Sequence, residues 1–185
     1  FAWDSAGDHK MFITDIGQAQ IEEINIGAPG ANYGWGEREG TFVVDHDDEN
    51  RVSPLPAGDD RLGYVYPAIQ YRHDIGSAVT GGFVYRDTAI PALRGMYVFG
   101  DIVTGRIFFA PADALVNGRL SPFAELKLRY AGRDRSLLDI LGDTRADLRF
   151  GTDERGGIYL LTKRDGTIRK VSTAALPADP AVPAK

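Results

Sequence analysis

The sequence predicts an all-β fold. Three observations carry that prediction: short runs rich in β-branched and aromatic residues, turn residues between them, and no sustained helical period. Twenty-two Gly and 10 Pro punctuate the 185 residues. Gly supplies positive φ and Pro fixes φ, so this scatter describes many strands joined by tight turns. The predicted strands, in order, are Met11–Asp15, Glu22–Ile26, Ala68–Tyr71, Gly82–Arg86, Met96–Phe99, Arg106–Ala110, Phe123–Arg129, Ala146–Phe150, Gly157–Thr162 and Thr167–Val171. Turn residues bound most of them: Gly17 follows the first, Gly27 the second, Gly95 and Gly100 flank the fifth, and Gly105 and Pro111 flank the sixth. Asp134–Leu141 fits one helical turn, through Leu137, Leu138 and Leu141, as well as it fits a strand, and stays open.

An internal repeat organises these strands. Met11-Phe12-Ile13-Thr14-Asp15, Met96-Tyr97-Val98-Phe99-Gly100-Asp101 and Ile158-Tyr159-Leu160-Leu161-Thr162 align, each followed by turn residues and a second strand: Ile21–Ile26, Gly105–Ala110 and Gly166–Val171. Phe12 and Tyr97 are 85 positions apart, against 62 for Tyr97 and Tyr159. The surplus falls between Gly36 and Pro67, a polar segment containing Asp45-His46-Asp47-Asp48-Glu49-Asn50, which suits an excursion between strands and not a blade strand. Four-stranded units repeated along an all-β chain describe a β-propeller, here about three blades within residues 1–173. The Ala/Pro-rich segment 174–185 is expected to be a tail or linker. Propellers usually close with 4–8 blades, and an inner blade is apolar on both faces. Three blades would leave two bare faces, so the remaining part of the propeller, or another copy of the chain, is the expected partner.

Composition removes whole classes of function. Hydrophobic residues at 43% and charged residues at 25% belong to a chain that buries a core. A formal charge of −5 is the wrong sign for binding nucleic acid, and no apolar run approaches the length of a membrane span. The absence of Cys excludes disulfides, Cys-ligated zinc, iron–sulfur clusters and thiol nucleophiles. No Walker sequence, dinucleotide fingerprint or serine-hydrolase elbow is present. The opening Phe1-Ala2-Trp3-Asp4 has no initiator Met, basic region or apolar stretch, so the sequence is expected to begin within a longer protein, with any signal peptide upstream.

Larger pieces add specificity. Asp15-Ile16-Gly17-Gln18, Glu22-Glu23-Ile24-Asn25, Gly30-Ala31-Asn32-Tyr33-Gly34-Trp35, Ala78–Arg86, Ile90–Gly95, Tyr97–Asp101, Gly105-Arg106-Ile107 and Ile158–Leu161 resemble, in order and spacing, the glucose/sorbosone dehydrogenase family. The resemblance runs over about residues 4–171 and corresponds to the C-terminal half of the family's six-bladed propeller. It implies a periplasmic or secreted sugar (aldose) dehydrogenase that uses pyrroloquinoline quinone (PQQ) and calcium. A histidine base removes a proton while hydride passes from the sugar to the quinone, and that base lies in the half this sequence does not contain. By the same resemblance the backbone carbonyls of Gly17 and Gln18 hold calcium, and Glu23 and the Tyr33 carbonyl serve a nearby structural calcium. Oxygen donors of this kind suit a hard cation. The family's PQQ-contacting lysine maps to Val103 or Thr104. Its Arg-x-Arg-Asp sequence maps to Thr144-Arg145-Ala146-Asp147, where the one arginine is offset to the opposite strand face. That departure keeps a second reading open: a non-catalytic propeller module that binds carbohydrate or a protein partner.

Other polar groups have ordinary explanations. His73, beside Asp74, reads as a loop histidine that a carboxylate pair could turn into a base. His9 and His46 sit in polar loops. Asp45–Glu49 lacks the glycine of an EF-hand and reads as a solvated acidic loop, and Asp153-Glu154-Arg155-Gly156-Gly157 as a blade turn. Glu22 and Glu23 are expected on opposite strand faces, so that one faces inward and needs a partner, either a salt bridge or calcium. Asn32–Trp35 with Phe83 and Tyr85 are candidates for a sugar-binding aromatic wall or for blade core.

Overall fold

The structure, a computed structural model, describes residues 1–48, 50–174 and 176. The chain starts with β1 (Ala2–Trp3), β2 (Met11–Asp15) and β3 (Ile21–Ile26). It then leaves the sheet for an excursion holding three short strands, β4 (Arg38–Glu39), β5 (Phe42–Val44) and β6 (Val52–Pro54). It returns as β7 (Ile69–Arg72), giving an antiparallel blade in the order β1-β2-β3-β7. The second blade runs β8 (Val79–Val84), β9 (Met96–Asp101), β10 (Ile107–Pro111) and β11 (Ala124–Glu125), paired in chain order. A small hairpin, β12 (Arg129–Tyr130) and β13 (Arg133–Asp134), and helix α1 (Leu137–Leu141) lead to the third blade, β14 (Leu148–Thr152), β15 (Ile158–Thr162) and β16 (Thr167–Lys170).

The three segments aligned in the sequence, β2, β9 and β15, occupy the same second position in their blades, and β3, β10 and β16 the third. The first strand of the middle blade, β8, packs against β1 and β2 on one side and β14 on the other. Inner strands therefore meet around a common axis, the arrangement of a partial β-propeller. The middle blade is apolar on both faces because strand side chains alternate. Tyr97, Phe99 and Phe108 join Phe12, Ile24, Ile69 and Tyr71 in one buried cluster between the first two blades. Val98, Ile107 and Phe109 join Leu148, Ile158 and Leu160 in a second cluster between blades two and three. Phe12 stacks on Tyr97 at 4.2 Å between ring centroids, and Phe108 meets Phe123 edge to face at 5.3 Å. Between Thr80 and Phe83 the β8–β9 register shifts, because Gly82 lies so close to the next strand that a Cβ there would sit 1.5 Å from the Val98 carbonyl oxygen. This bulge is why the observed strand starts at Val79 and not at Gly82.

Three expectations change. Asp134–Leu141 resolves into a turn of helix, Leu137–Leu141, started by a reciprocal capping box between Ser136 and Asp139 and stopped by Gly142 in the left-handed region. The excursion is not simply a loop: β4–β6 form their own antiparallel sheet. That sheet roofs part of the outer face of blade one, where Thr41 exchanges hydrogen bonds with Gln70 at 2.9 and 3.0 Å. One of the two terminal faces is thus partly covered by the chain itself, while Trp3 at its inner edge is 59% exposed and Ile168 on the third blade 65% exposed. Of the 174–185 segment, Ala174 and Leu176 pack against the second cluster, and the rest lies outside the described residues, as does Glu49.

Candidate functional site

The roof meets blade one over the turn between β2 and β3. A cleft of about 80 Å³ opens there, lined by Asp15, Gly17, Gln18 and Glu23 from the blade and by Trp35, Arg38 and Glu39 from the excursion. The turn is tightly wound: a Cβ on Gly17 would sit 1.8 Å from the Ile21 carbonyl oxygen, so only glycine fits. The Glu39 carboxylate accepts hydrogen bonds from three successive backbone N–H groups, those of Ala19, Gln20 (2.8 Å) and Ile21 (3.1 Å).

Glu22 and Glu23 point to opposite faces, but both are buried, correcting the expectation that only one faces inward. The reason is the roof, which encloses the face that would otherwise be open. Glu22 faces the second blade. Its Oε1 lies 2.9 Å from His73 Nε2, and its Oε2 accepts from the Val79 N–H at 2.7 Å. The carboxylate partner of His73 is therefore Glu22, 51 residues away, and not its neighbour Asp74.

The six buried carboxylates of the described residues are Asp4, Glu22, Glu23, Glu39, Asp59 and Asp101. Asp4 is held by the Arg86 guanidinium, and Asp59 by Arg38 at 2.6 Å with the Tyr66 hydroxyl. Asp101 accepts from the N–H groups of Ala78, Val103 and Thr104 and from the Thr104 hydroxyl. Glu23 stands apart: its donors are a neutral amide, Asn25 Nδ2 at 3.1 Å, and the Gly40 backbone N–H, and among the described residues no cation pairs with it. Burial, reinforced by the charges of Asp15 and Glu39, pushes the Glu23 carboxyl up to about 7. Burial and then Glu39 also raise Asp15.

Gly17, Gln18 and Glu23, which the resemblance assigns to two neighbouring calcium ions, line one cleft. Tyr33 does not line this cleft; its hydroxyl donates to the Ile26 carbonyl at 3.0 Å and accepts from the Ala28 N–H at 2.9 Å. Asp15 and Glu39 are additional acids that the sequence reading did not single out. Among the described residues no three His, Asp or Glu side chains converge closely enough to hold a metal alone, so backbone carbonyls of the turn would have to complete any cation site. Trp35, 79% exposed, stands at the cleft mouth, whereas Tyr85 belongs to the second core cluster.

The positions aligned with the PQQ contacts are differently occupied. Val103 and Thr104 form the turn that Asp101 caps. The Arg145 side chain pairs with Asp147, which also faces Arg164 at 3.7 Å, and Ala146 is fully buried. These residues do not offer three free cations to a tricarboxylate.

Residues 2–170, nearly the whole described fold, match the family model of glucose / sorbosone dehydrogenase. The chain belongs to that family. Two relatives from Arabidopsis thaliana are the HIPL2 protein, 26% identical over 179 residues, and the HIPL1 protein, 27% identical over 186. The alignments cover 87% and 92% of this chain but only 24% and 25% of those proteins. Among solved structures, a glucose dehydrogenase crystal structure superposes with a TM-score of 0.57 at 23% identity, over 90% of this chain and 42% of that one. The glucose / sorbosone dehydrogenase family chain described here therefore shares that propeller fold while spanning less than half of the compared chain.

Proposed function

We propose that this chain is the calcium-binding portion of a sugar dehydrogenase-like propeller, with the proton-accepting base of the reaction carried outside residues 1–185. One observation carries the reading: among the described residues Glu23 is the buried carboxylate with no basic side chain against it and fewer than three N–H groups, those of the Asn25 amide and the Gly40 backbone. A buried carboxylate in that position needs a cation. Carboxylate oxygens of Glu23 and Asp15, with carbonyls of the Gly17–Gln18 turn, form the all-oxygen donor set a hard divalent ion prefers. Tyr33 would act from outside the cleft, through its backbone. A calcium affinity in the range of extracellular modules would fit a periplasmic or secreted location. No helix among the described residues is long and apolar enough to cross a membrane.

In the dehydrogenase reading the hydride acceptor is PQQ. The residues at positions 103, 104 and 145–147 do not fit that quinone, because Arg145 is already paired and the lysine position holds Val103 or Thr104. This same observation favours a second reading, a module that binds carbohydrate or a protein partner without oxidising it. The apolar surface left at Trp3 and Ile168 supports association with the rest of a propeller or with another copy.

Calorimetric titration of the chain with CaCl2 tests the shared part of both readings. Saturable binding with Kd about 10⁻⁴–10⁻³ M, the range of extracellular calcium modules, is expected, lost in Glu23→Gln. Absence of saturable binding removes the calcium assignment. Adding PQQ and then glucose to the calcium-loaded full-length protein, which carries the base, separates the readings: bleaching of the oxidised quinone absorbance supports the dehydrogenase, and sugar binding without it supports the module.

A further inference from the structure

We propose that Glu39 is the positioning residue of the cation site: it gathers the N–H groups of the β2–β3 turn on one side and so leaves the turn's carbonyl oxygens free to face a divalent ion. The inference deepens the calcium reading and rests on it. Three successive N–H groups directed to one point form a concavity that ordinarily captures a free anion. Here Glu39, 18–20 residues further along the chain and 6% exposed, fills it with its own carboxylate. Charge-assisted hydrogen bonds of this type are about twice as strong as neutral ones. With their N–H groups committed, Ala19, Gln20 and Ile21 are fixed in one backbone conformation, and Gly17, pressed against the Ile21 carbonyl, is fixed with them.

The anchor comes from the excursion, not from the blade. Two further contacts support it: the Arg38–Asp59 pair braces the excursion internally, and the Thr41–Gln70 hydrogen bonds tie it to the blade. Glu39 sits between them, at the point where the roof crosses the turn, and its charge lies on the same cleft as Glu23 and Asp15. Its role is electrostatic as well as geometric, since its carboxylate lies on the cleft with Glu23 and Asp15 and adds to the attraction for a cation.

The test compares the wild-type chain with Glu39→Gln, which keeps the shape and loses the charge, and Gln70→Ala, which loosens the roof without touching the three amides. Amide hydrogen exchange and calcium titration are read together. In Glu39→Gln, exchange at residues 19–21 is expected to rise at least about tenfold with the blade cores unchanged, and calcium affinity to fall by about 10–100-fold, the usual effect of losing an outer-shell partner. Gln70→Ala is expected to move both readouts at residues 17–21 far less than Glu39→Gln does, because the three N–H bonds to Glu39 remain. Wild-type exchange and affinity in Glu39→Gln overturn the proposal, as does equal loss in the two variants. Loss of the β-sheet circular dichroism signal in Glu39→Gln also overturns it, because a positioning residue acts on the turn and not on the blade core. If the wild-type chain binds no calcium, the calcium reading fails separately; exchange at residues 19–21 then shows whether Glu39 positions the turn, and unchanged exchange refutes that too.

Discussion

Replacing Glu23 by Gln should stabilise the calcium-free protein, and by an amount that depends on pH in a defined direction. The carboxyl is raised from 4.5 to about 7 by burial and by the charges of Asp15 and Glu39. Between those values the folded state binds more protons than the unfolded one, so stability falls as pH rises through the window. At about 1.4 kcal/mol per pH unit of difference, the ionised carboxylate costs the folded state about 3 kcal/mol above pH 7, and nothing below the unfolded value near pH 4.5. Glutamine has the same shape and never ionises. Urea unfolding in the presence of a chelator, at pH 5 and pH 8, measures the difference. Glu23→Gln should match wild type within about 1 kcal/mol at pH 5 and exceed it by up to about 3 kcal/mol at pH 8. Calcium should then narrow the gap at pH 8 by about half, since an ion at ten times its Kd stabilises the wild type by about 1.4 kcal/mol and the variant not at all. A variant that is equally destabilised at both pH values would refute the reasoning, because it would show that Glu23 is held by contacts and not left uncompensated.

Two other perturbations test the frame around the cleft. Arg38→Ala leaves Asp59 buried without its guanidinium, 2.6 Å away in the native fold, and should cost about 3–5 kcal/mol in urea unfolding. A loss below about 1 kcal/mol would mean that the roof is not braced by this pair. Phe108→Ala removes a ring packed against Tyr71, Phe99 and Phe123 and should cost about 3–5 kcal/mol, read as a lower urea midpoint with unchanged slope.

The blades were legible because their information is local. Period-two alternation with Gly and Pro at the ends locates β2, β9 and β15, and the repeat alone puts them in equivalent positions. The helix start was also written locally, in Ser136 and Asp139 three residues apart, but one turn of Leu137, Leu138 and Leu141 cannot be told from a strand by period. The excursion strands are two or three residues long, too short for alternation to register. The Glu22–His73 pair and the Glu39 contacts connect residues 51 and 18–20 positions apart, which no local pattern encodes. Glu22 is buried against the second blade and Glu23 under the roof, so missing the roof meant missing the second buried glutamate. For Gly17, Gln18 and Glu23, composition and periodicity offered nothing; the resemblance named them and the fold then placed them on one cleft.

The repeat also explains why the cleft arises in blade one and not in blade two. Asp15 and Asp101 end equivalent strands, β2 and β9, and each is followed by a turn. In blade two the turn folds back on its own aspartate: Val103 and Thr104 donate their N–H groups to Asp101, Ala78 adds another, and the carboxylate is fully satisfied. In blade one the turn does not fold back this way. Glu39 claims the N–H groups of Ala19, Gln20 and Ile21, further round the turn, and among the described residues no hydrogen bond to the Asp15 carboxylate forms. The result is a turn whose donors point to one acid while a second acid, and Glu23 opposite it in the β2–β3 pairing, lack compensation. A propeller turn that elsewhere only closes a hairpin is thereby converted into an uncompensated acidic cleft. The conversion requires nothing more than the inserted roof and the single carboxylate it delivers.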